Sequence, residues 1–254
     1  MINISASIVI YKENPKTLSK VIKNFLAIPL KSTLIILDNS PTDSLKTSIK
    51  NFPSVLYIHQ PENIGFGAGH NKAFQIFNSN SNSNIHLIIN PDIYFDPNEI
   101  YKMIVWMHEN SDIALSVPLV YYPNGDKQHT IRHIPLVTTL FKRRFNIFGI
   151  FDDFIKKDEF QNTRFYEVTE IPFAHGCFFI FQTNVFKSLQ GFDERFFMYM
   201  EDVDIFIRAK KFGKTVLHPQ YKIYHEFRKG SSKSIKLFLW HIRSAIKFFL
   251  KYKY

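Results

Sequence analysis

Thr33-Leu34-Ile35-Ile36-Leu37-Asp38-Asn39-Ser40-Pro41 is the stretch that decides the fold. Its first five residues are a near-continuous apolar run, as expected for a parallel strand covered on both faces. The run ends abruptly on a turn signal, Asp-Asn-Ser-Pro. Upstream, Asn14-Pro15 offers an N-cap and a proline at the first helical position, and Leu18, Val21, Ile22, Phe25 and Leu26 form one apolar helical face. Before that helix lies a β-rich run, Ser5 to Ile10. Downstream, a second helix through Leu45 and Ile49 leads to strand Val55 to Ile58. A helix from Ala68 to Phe77, a polar linker at Ser79 to Asn84 and a strand from Ile85 to Ile89 continue the alternation. Asp96-Pro97-Asn98-Glu99 then opens another helix as a capping box. This β-α-β-α order predicts an α/β fold, with a mostly parallel, Rossmann-like sheet flanked by helices and right-handed crossovers.

In such sheets ligands bind beyond the carboxyl ends of the strands. Tyr11, Asp38 and Asp92 each lie just past a predicted strand end, so three segments deliver polar groups to one rim. One aspartate after a strand is usually a turn former; the set together points to a binding site. A second acidic cluster sits far along the chain. Phe196-Phe197-Met198-Tyr199-Met200 runs straight into Glu201, Asp202 and Asp204, and Val203, Phe206, Ile207 and Lys210 fall at helical spacing. Acids in a first helical turn complement the helix dipole. So much apolar bulk ahead of them predicts more: a pocket wall, with at least one raised pKa.

The 254 residues, 45% hydrophobic with 21% charged, can bury a large core as one elaborated domain or two small ones. A lone cysteine, Cys177, excludes an internal disulfide framework and a cysteine zinc site, and fits a reducing cytosol. The sequence enters its first strand with no basic leader, and no apolar run is long enough to span a bilayer. A cytoplasmic protein is expected. The formal charge of +10 is unevenly placed: eight of the 32 Lys and Arg residues, and none of the 22 acids, fall within residues 227–254. A nearly neutral core argues against nucleic-acid binding, and the basic segment calls for a partner of its own.

The expected layout is a catalytic domain over residues 1–226 and a basic amphipathic C-terminal helix over 227–254. Residues 1–120 would form one half, with the three strand-end groups, and 121–226 the other, with the second acidic cluster. Within the latter, about 124–170 reads as an irregular insertion or lid, holding Phe141-Lys142-Arg143-Arg144-Phe145 and Asp152-Asp153. Order resumes with strand Gly176 to Phe181, helix Thr183 to Leu189, the turn Gly191-Phe192-Asp193-Glu194, and strands Thr215 to Leu217 and Tyr221 to His225. The tail from Ser231 reads as a helix with the stripe Ile235, Leu239, Ile242, Ile246 and Phe249. It either packs on the catalytic domain or lies on an anionic cytoplasmic leaflet.

Five motifs occur in register: Asp38-Asn39-Ser40, Asn63-Ile64-Gly65-Phe66-Gly67, Asn90-Pro91-Asp92, Gly191-Phe192-Asp193-Glu194-Arg195-Phe196-Phe197 and Glu201-Asp202-Val203-Asp204. Together the chain resembles family 2 of the inverting glycosyltransferases, of GT-A fold, and within it the bacterial rhamnosyltransferases of surface-polysaccharide synthesis. The resemblance implies a nucleotide-diphosphate sugar donor (rhamnose from dTDP-rhamnose), a divalent cation (Mg2+ or Mn2+), and direct displacement at the anomeric carbon. It also implies a saccharide or polyprenyl-diphosphate-linked oligosaccharide acceptor, reached from the cytoplasmic face of the membrane. It makes Asp202 the general base with Glu201 beside it, and Asp92 and His225 the metal ligands, Asp92 alone supplying the carboxylate of the family's Asp-x-Asp. Tyr11, Asp38, Asn63, Gly65 and Asn71 would bind the nucleotide, and Arg228 and Lys229 the leaving diphosphate. Two other classes stay open on the residues alone. A sugar nucleotidyltransferase would want a Gly-rich phosphate loop after the first strand, where this chain has Tyr11-Lys12-Glu13-Asn14. A non-catalytic nucleotide-sugar or glycan-binding relative would have no need of the Glu201-Asp202 pair.

Overall fold

The computed structural model describes residues 1–78, 82–226 and 234–253. The first half alternates as the sequence predicts: β1 (Asn3–Ile10), α1 (Pro15–Leu26), β2 (Lys31–Asp38), α2 (Lys46–Ile49), β3 (Val55–His59), α3 (Phe66–Asn78) and β4 (Ile85–Ile89). Then come β5 (Ile93–Tyr94), α4 (Pro97–Glu109) and β6 (Ile113–Tyr121). The Asn14 and Asp96 side chains cap α1 and α4 from the expected positions, each with proline behind it.

Residues 124–170 are less irregular than the sequence suggests. They hold β7 (Ile131–Arg132), α5 (Val137–Arg144), α6 (Asp152–Asp158) and the start of β8 (Thr169–Glu170). After β9 (Phe173–Ala174) and β10 (Phe178–Gln182) come α7 (Thr183–Ser188), α8 (Glu201–Ala209), β11 (Lys214–His225) and α9 (Ile235–Tyr252). The two strands read from the sequence between Thr215 and His225 are one strand. Its register against β6 shifts between His218 and Lys222, and Pro219 lies in that irregularity.

The strands pair in the order β3-β2-β1-β4-β10-β6-β11-β5, with β8 on β11. β1, β2, β3 and β4 are parallel neighbours, β6 and β11 are parallel, and β10 runs against β4 and β6. One antiparallel strand thus separates two parallel blocks that point the same way. α1, α2 and α4 bury Val21, Phe25, Ile49, Met103 and Met107 on one face of the sheet. α3, α7, α8 and α9 bury Phe74, Phe186, Phe206 and Phe248 on the other. Each such side chain contributes on the order of 1.5–3 kcal/mol on burial. Because both faces are covered, the carboxyl-end rim is where functional groups can gather.

Candidate active site

At the rim, the ends of β1 and β2 are tied together. Asn39 N–H donates to the Ile10 carbonyl (2.9 Å) and Lys12 N–H to Ser40 Oγ (2.7 Å). Asp38 is fully buried; its carboxylate accepts from Ser40 N–H at 2.9 Å and from Tyr57 Oη at 2.6 Å. Burial and the neighbouring Asp38 charge push the Tyr57 phenol well above its ordinary value, so it remains a donor. In this structure Asp38 therefore braces the 38–40 loop from beneath. Tyr11, about half exposed, keeps an open ring at the same rim.

The Asn63–Gly67 loop is pinned from both sides. Asn63 Oδ1 accepts from Gly65 N–H (2.9 Å), and Asn39 Nδ2 donates to the Gly65 carbonyl (3.1 Å). Phe66 N–H donates to the Phe197 carbonyl (3.0 Å). Gly65 has φ +95°, and a Cβ there would lie 2.4 Å from the Phe197 carbonyl oxygen, so only glycine fits. One helical turn on, the Asn71 amide donates to the Phe192 carbonyl (2.8 Å) and accepts from Phe192 N–H (2.8 Å), with Glu194 Oε1 at 3.0 Å. Asn71, assigned to the nucleotide by resemblance, is thus committed to holding the Gly191–Glu194 turn. These bonds lock α3 to the segment that leads into the acidic cluster.

A second junction brings the two acidic motifs together. Asn90 N–H donates to the Cys177 carbonyl (2.9 Å), placing the Asn90-Pro91-Asp92 turn against Gly176-Cys177. From the other side, a Cβ on Gly176 would sit 3.4 Å from the Asp202 Cβ, and the backbone at Gly176 hydrogen-bonds the Asp202 carboxylate. Burial pushes the Cys177 thiol up to about 12, and the charges of both Asp92 and Asp202 add to it. Asp92 and Asp202 therefore bracket one turn, although 110 positions separate them in sequence. The Cys177 thiol itself stays protonated and inert.

Asp92 and His225 form the candidate cation grip. His225 Nε2 lies 3.3 Å from Asp92 Oδ1, and the Asp92 carbonyl accepts from Glu226 N–H (3.0 Å). Gln128 Nε2 donates to the His225 carbonyl (2.7 Å) and more weakly to that of Tyr121 (3.3 Å), which leaves Gln128 Oε1 to accept from His225 Nδ1 at 3.1 Å. That acceptor puts a proton on Nδ1 and turns Nε2 toward the Asp92 carboxylate. A histidine oriented through its other nitrogen, with a carboxylate beside its Nε2, is a donor set that suits a divalent cation. Among the described residues no third His, Cys, Asp or Glu joins them. That fits a hard ion retaining waters and diphosphate oxygens as its remaining ligands. Gln128 carried no sequence signal of its own. Arg228 and Lys229 lie outside the described residues.

Around Asp202 the site is buried and strained. Tyr199 and Met200, just before α8, both adopt positive φ (69° and 66°). A left-handed conformation costs a non-glycine residue about 1–2 kcal/mol, and here it occurs twice in succession. Burial, then the adjacent Asp202 charge, raises the Glu201 carboxyl well above its ordinary value, and its buried Oε2 has no hydrogen-bond partner. Burial also raises Asp202, opposed by backbone donors at Val203 and Gly176 and by the charge of Arg132. Glu201 is raised further than Asp202, which keeps the backbone donors and the positive charge that favour its ionised form.

Arg132 comes from the 124–170 insertion. It pairs with Glu159 at 2.8 Å, while Arg143 on α5 pairs with the buried Asp158. Burial, then Arg143, lowers the Arg132 guanidinium to about 10, which leaves it charged. Both arginine Nε atoms are buried with no hydrogen-bond partner. Neither arginine was singled out as a site residue from the sequence. The basic-aromatic run was visible, but nothing local shows that its Arg143 folds back beside Arg132, whose charge acts on Asp202.

The terminal helix closes the site. Asp204, fully buried, accepts from Arg208 Nε (2.7 Å), from Tyr252 Oη (2.7 Å) and from Lys251 Nζ. Lys251 also reaches Asp193 (2.8 Å), and Ser244 Oγ donates to the Met198 carbonyl (2.7 Å). His241 packs on Tyr199, ring centroids 5.0 Å apart. Burial, then the charges of Arg143 and Arg132, lowers its pKa. Of the two outcomes open for the tail, packing on the catalytic domain is what the structure shows.

The family model for glycosyl transferase family 2 matches residues 5–190, nearly three quarters of the chain. The chain belongs to glycosyl transferase family 2. This family 2 enzyme is 23% identical over 241 residues to rhamnosyltransferase WbbL of Escherichia coli K12, covering 91% of this chain and 87% of that one. It is 22% identical over 214 residues to an N-acetylglucosaminyl-diphospho-decaprenol L-rhamnosyltransferase of Mycobacterium tuberculosis, covering 79% of this chain and 68% of that one. Among solved structures, GalNAc-T7 with UDP, GalNAc and Mn2+ superposes with a TM-score of 0.67 at 14% identity, covering 90% of this chain and 44% of that one. The mannosyltransferase PcManGT of Pyrobaculum calidifontis, in complex with GDP-Man and Mn2+, gives 0.62 at 13% identity, covering 95% and 60%. The chain thus spans less than two thirds of either structure's length. The fold is GT-A, as the resemblance implied, and the rhamnosyltransferase likeness holds across most of the chain.

Proposed function

We propose that this family 2 glycosyltransferase is an inverting, cation-dependent enzyme that moves a sugar from a nucleotide-diphosphate donor to a hydroxyl of a lipid-linked or polysaccharide acceptor. The likeness to rhamnosyltransferases favours L-rhamnose from dTDP-rhamnose, in the synthesis of a cell-surface glycan. One observation carries the reading: Asp92 with His225, and Asp202, bracket the same Gly176–Cys177 turn. A carboxylate for the donor's diphosphate side and another for the acceptor side are then within reach of one bound sugar.

In the chemistry this supports, the acceptor oxygen attacks the anomeric carbon while the bond to the diphosphate breaks, inverting the configuration. Asp202, raised by burial yet ionised beside Arg132, takes the hydroxyl proton. The proton must lie within about 2.6–3.2 Å of it, and such a positioned base supplies ~10²–10⁴-fold. Most of the remaining rate comes from holding donor and acceptor in line. Glu201, kept neutral next to Asp202, adds no second negative charge. Tyr11 offers a face to the nucleotide base, and the Asn63–Gly65 loop shapes its cleft. A divalent ion held by Asp92 and His225 would neutralise charge on the departing diphosphate. Arg228 and Lys229 are the proposed further diphosphate contacts, and the cytoplasmic face of the membrane is the proposed workplace.

A thermal-shift screen tests this reading. A dTDP-sugar with Mn2+ is expected to raise Tm more than either alone, by mass action. No shift with any nucleotide sugar, with or without Mn2+, contradicts it.

A further inference from the structure

The docked face of α9 is only one of two. Trp240, Ser244, Ala245, Phe248 and Lys251 lie on the side that meets the catalytic domain. Ile235, Leu239, Ile242, Ile246 and Leu250, spaced four, three, four and four residues apart, share the opposite side and are all exposed. Four of the five belong to the stripe read from the sequence. The helix is flanked by Lys236, Arg243 and Lys247 and carries no acid anywhere along its length.

A second exposed apolar surface adjoins it. On α5 and the turn after it, Val137, Phe141, Phe145, Ile147, Phe148 and Ile150 are exposed, interleaved with Lys142, Arg143 and Arg144. Phe148 is 98% exposed and holds φ +57°, a left-handed conformation that costs about 1–2 kcal/mol while presenting an aromatic ring to solvent. The two surfaces meet where the Arg144 guanidinium lies 4.7 Å from the Phe238 ring of α9. No described helix is long and apolar enough to cross a membrane.

We infer that α5, the 145–150 turn and α9 form one lipid-binding face, and that its occupant is the surface of an anionic bilayer. Exposed aromatic and branched side chains among cations, with acids absent from α9, match an interface of acyl chains beneath anionic headgroups. Acids on the insertion side include Asp152 and Asp153 on α6, and Asp158 and Glu159, which are already paired with Arg143 and Arg132. The inference extends the lipid-linked acceptor reading: α5 turns Phe141 and Phe145 outward while Arg143 reaches inward beside Arg132, near Asp202. The segment that touches lipid is then the segment that walls the acceptor side.

Flotation of the full chain with vesicles tests this without donor, metal or acceptor, so its outcome is independent of the transfer reading. Wild type is expected to float with vesicles of phosphatidylcholine mixed with phosphatidylglycerol, to float far less with phosphatidylcholine alone, and to detach as salt is raised. The Phe141→Ser/Phe148→Ser and Leu239→Ser/Ile246→Ser variants, at exposed positions that leave the fold intact by thermal melt, should each bind at least about tenfold more weakly. Equal flotation of the Phe141/Phe148 variant and wild type overturns the role of α5. No flotation of wild type overturns the whole face. So does a dimer in solution that these same variants split, since the face would then belong to a second copy.

Discussion

The two halves of the sheet rim treat their polar groups differently. On the β1–β4 side most are used on one another: Asp38 with Ser40 and Tyr57, Asn63 with Gly65, Asn39 Nδ2 with the Gly65 carbonyl, while Asn39 Oδ1 is buried without a partner. On the α8 side, Glu201 Oε2 and the Nε atoms of Arg132 and Arg143 are buried without partners, and two consecutive residues hold left-handed backbone. The first half is a tightly tied loop, the cradle for the nucleotide in the proposed function. The second half holds backbone strain and buried polar atoms without partners, features that cluster at functional sites.

The sharpest way to break this contrast is at the reacting end. Asp202→Asn should lower sugar transfer by ~10²–10⁴-fold or more while the protein melts normally. Because burial raises Asp202, its base form is lost as pH falls through a value above the ordinary carboxylate range. The acidic limb of the wild-type pH–rate profile should therefore lie above that range.

The next largest effect concerns what roofs the strained half. Phe248 is fully buried, so Phe248→Ala should cost about 3–5 kcal/mol in denaturant titration and loosen α9 from α8. A loss below about 1 kcal/mol would mean that the helix is not integral to the domain.

On the cradle side, Gly65→Ala should cost ~1–3 kcal/mol, from positive φ and the clash with the Phe197 carbonyl. It should also weaken nucleotide-dependent thermal shifts, since the loop must move away from the acidic segment. Smaller still is Gln128→Leu, which removes the acceptor that orients His225. A fall of about 10–100-fold in Mn2+ affinity is expected, together with a lower melting temperature, because the His225 and Tyr121 carbonyls lose their Gln128 donor.

The cradle was legible in the sequence and the reacting half only partly so, for a physical reason. A parallel strand buried on both faces, a proline-backed N-cap and a turn after a strand are written in contiguous residues, and Leu34–Leu37, Asn14 and Asp96 carried them. Asp92 and Asp202 were readable because each sits in a motif. Their meeting at Gly176 was not, because pairing of β10 with β4 creates it and no local pattern encodes that pairing. Arg132, Arg143 and Gln128 arrive by the same kind of long-range contact. The terminal helix shows a different limit. One apolar stripe was evident, but Trp240, Ala245 and Phe248 make a second on the opposite side, and a two-faced helix does not reveal which side docks. The Asn71 contact is of the same long-range kind: its amide holds a turn 121 residues away.

The account turns on one cleft with divided labour. The most direct test compares the thermal shift given by a dTDP-sugar with Mn2+ in wild type, Asp92→Asn and Asp202→Asn, alongside transfer to an extracted lipid acceptor. The prediction is that Asp92→Asn loses the Mn2+-dependent part of the shift, while Asp202→Asn keeps all of it and transfers no sugar. An Asp202→Asn enzyme that still turns over, or an Asp92→Asn protein whose Mn2+ response is intact, would contradict it.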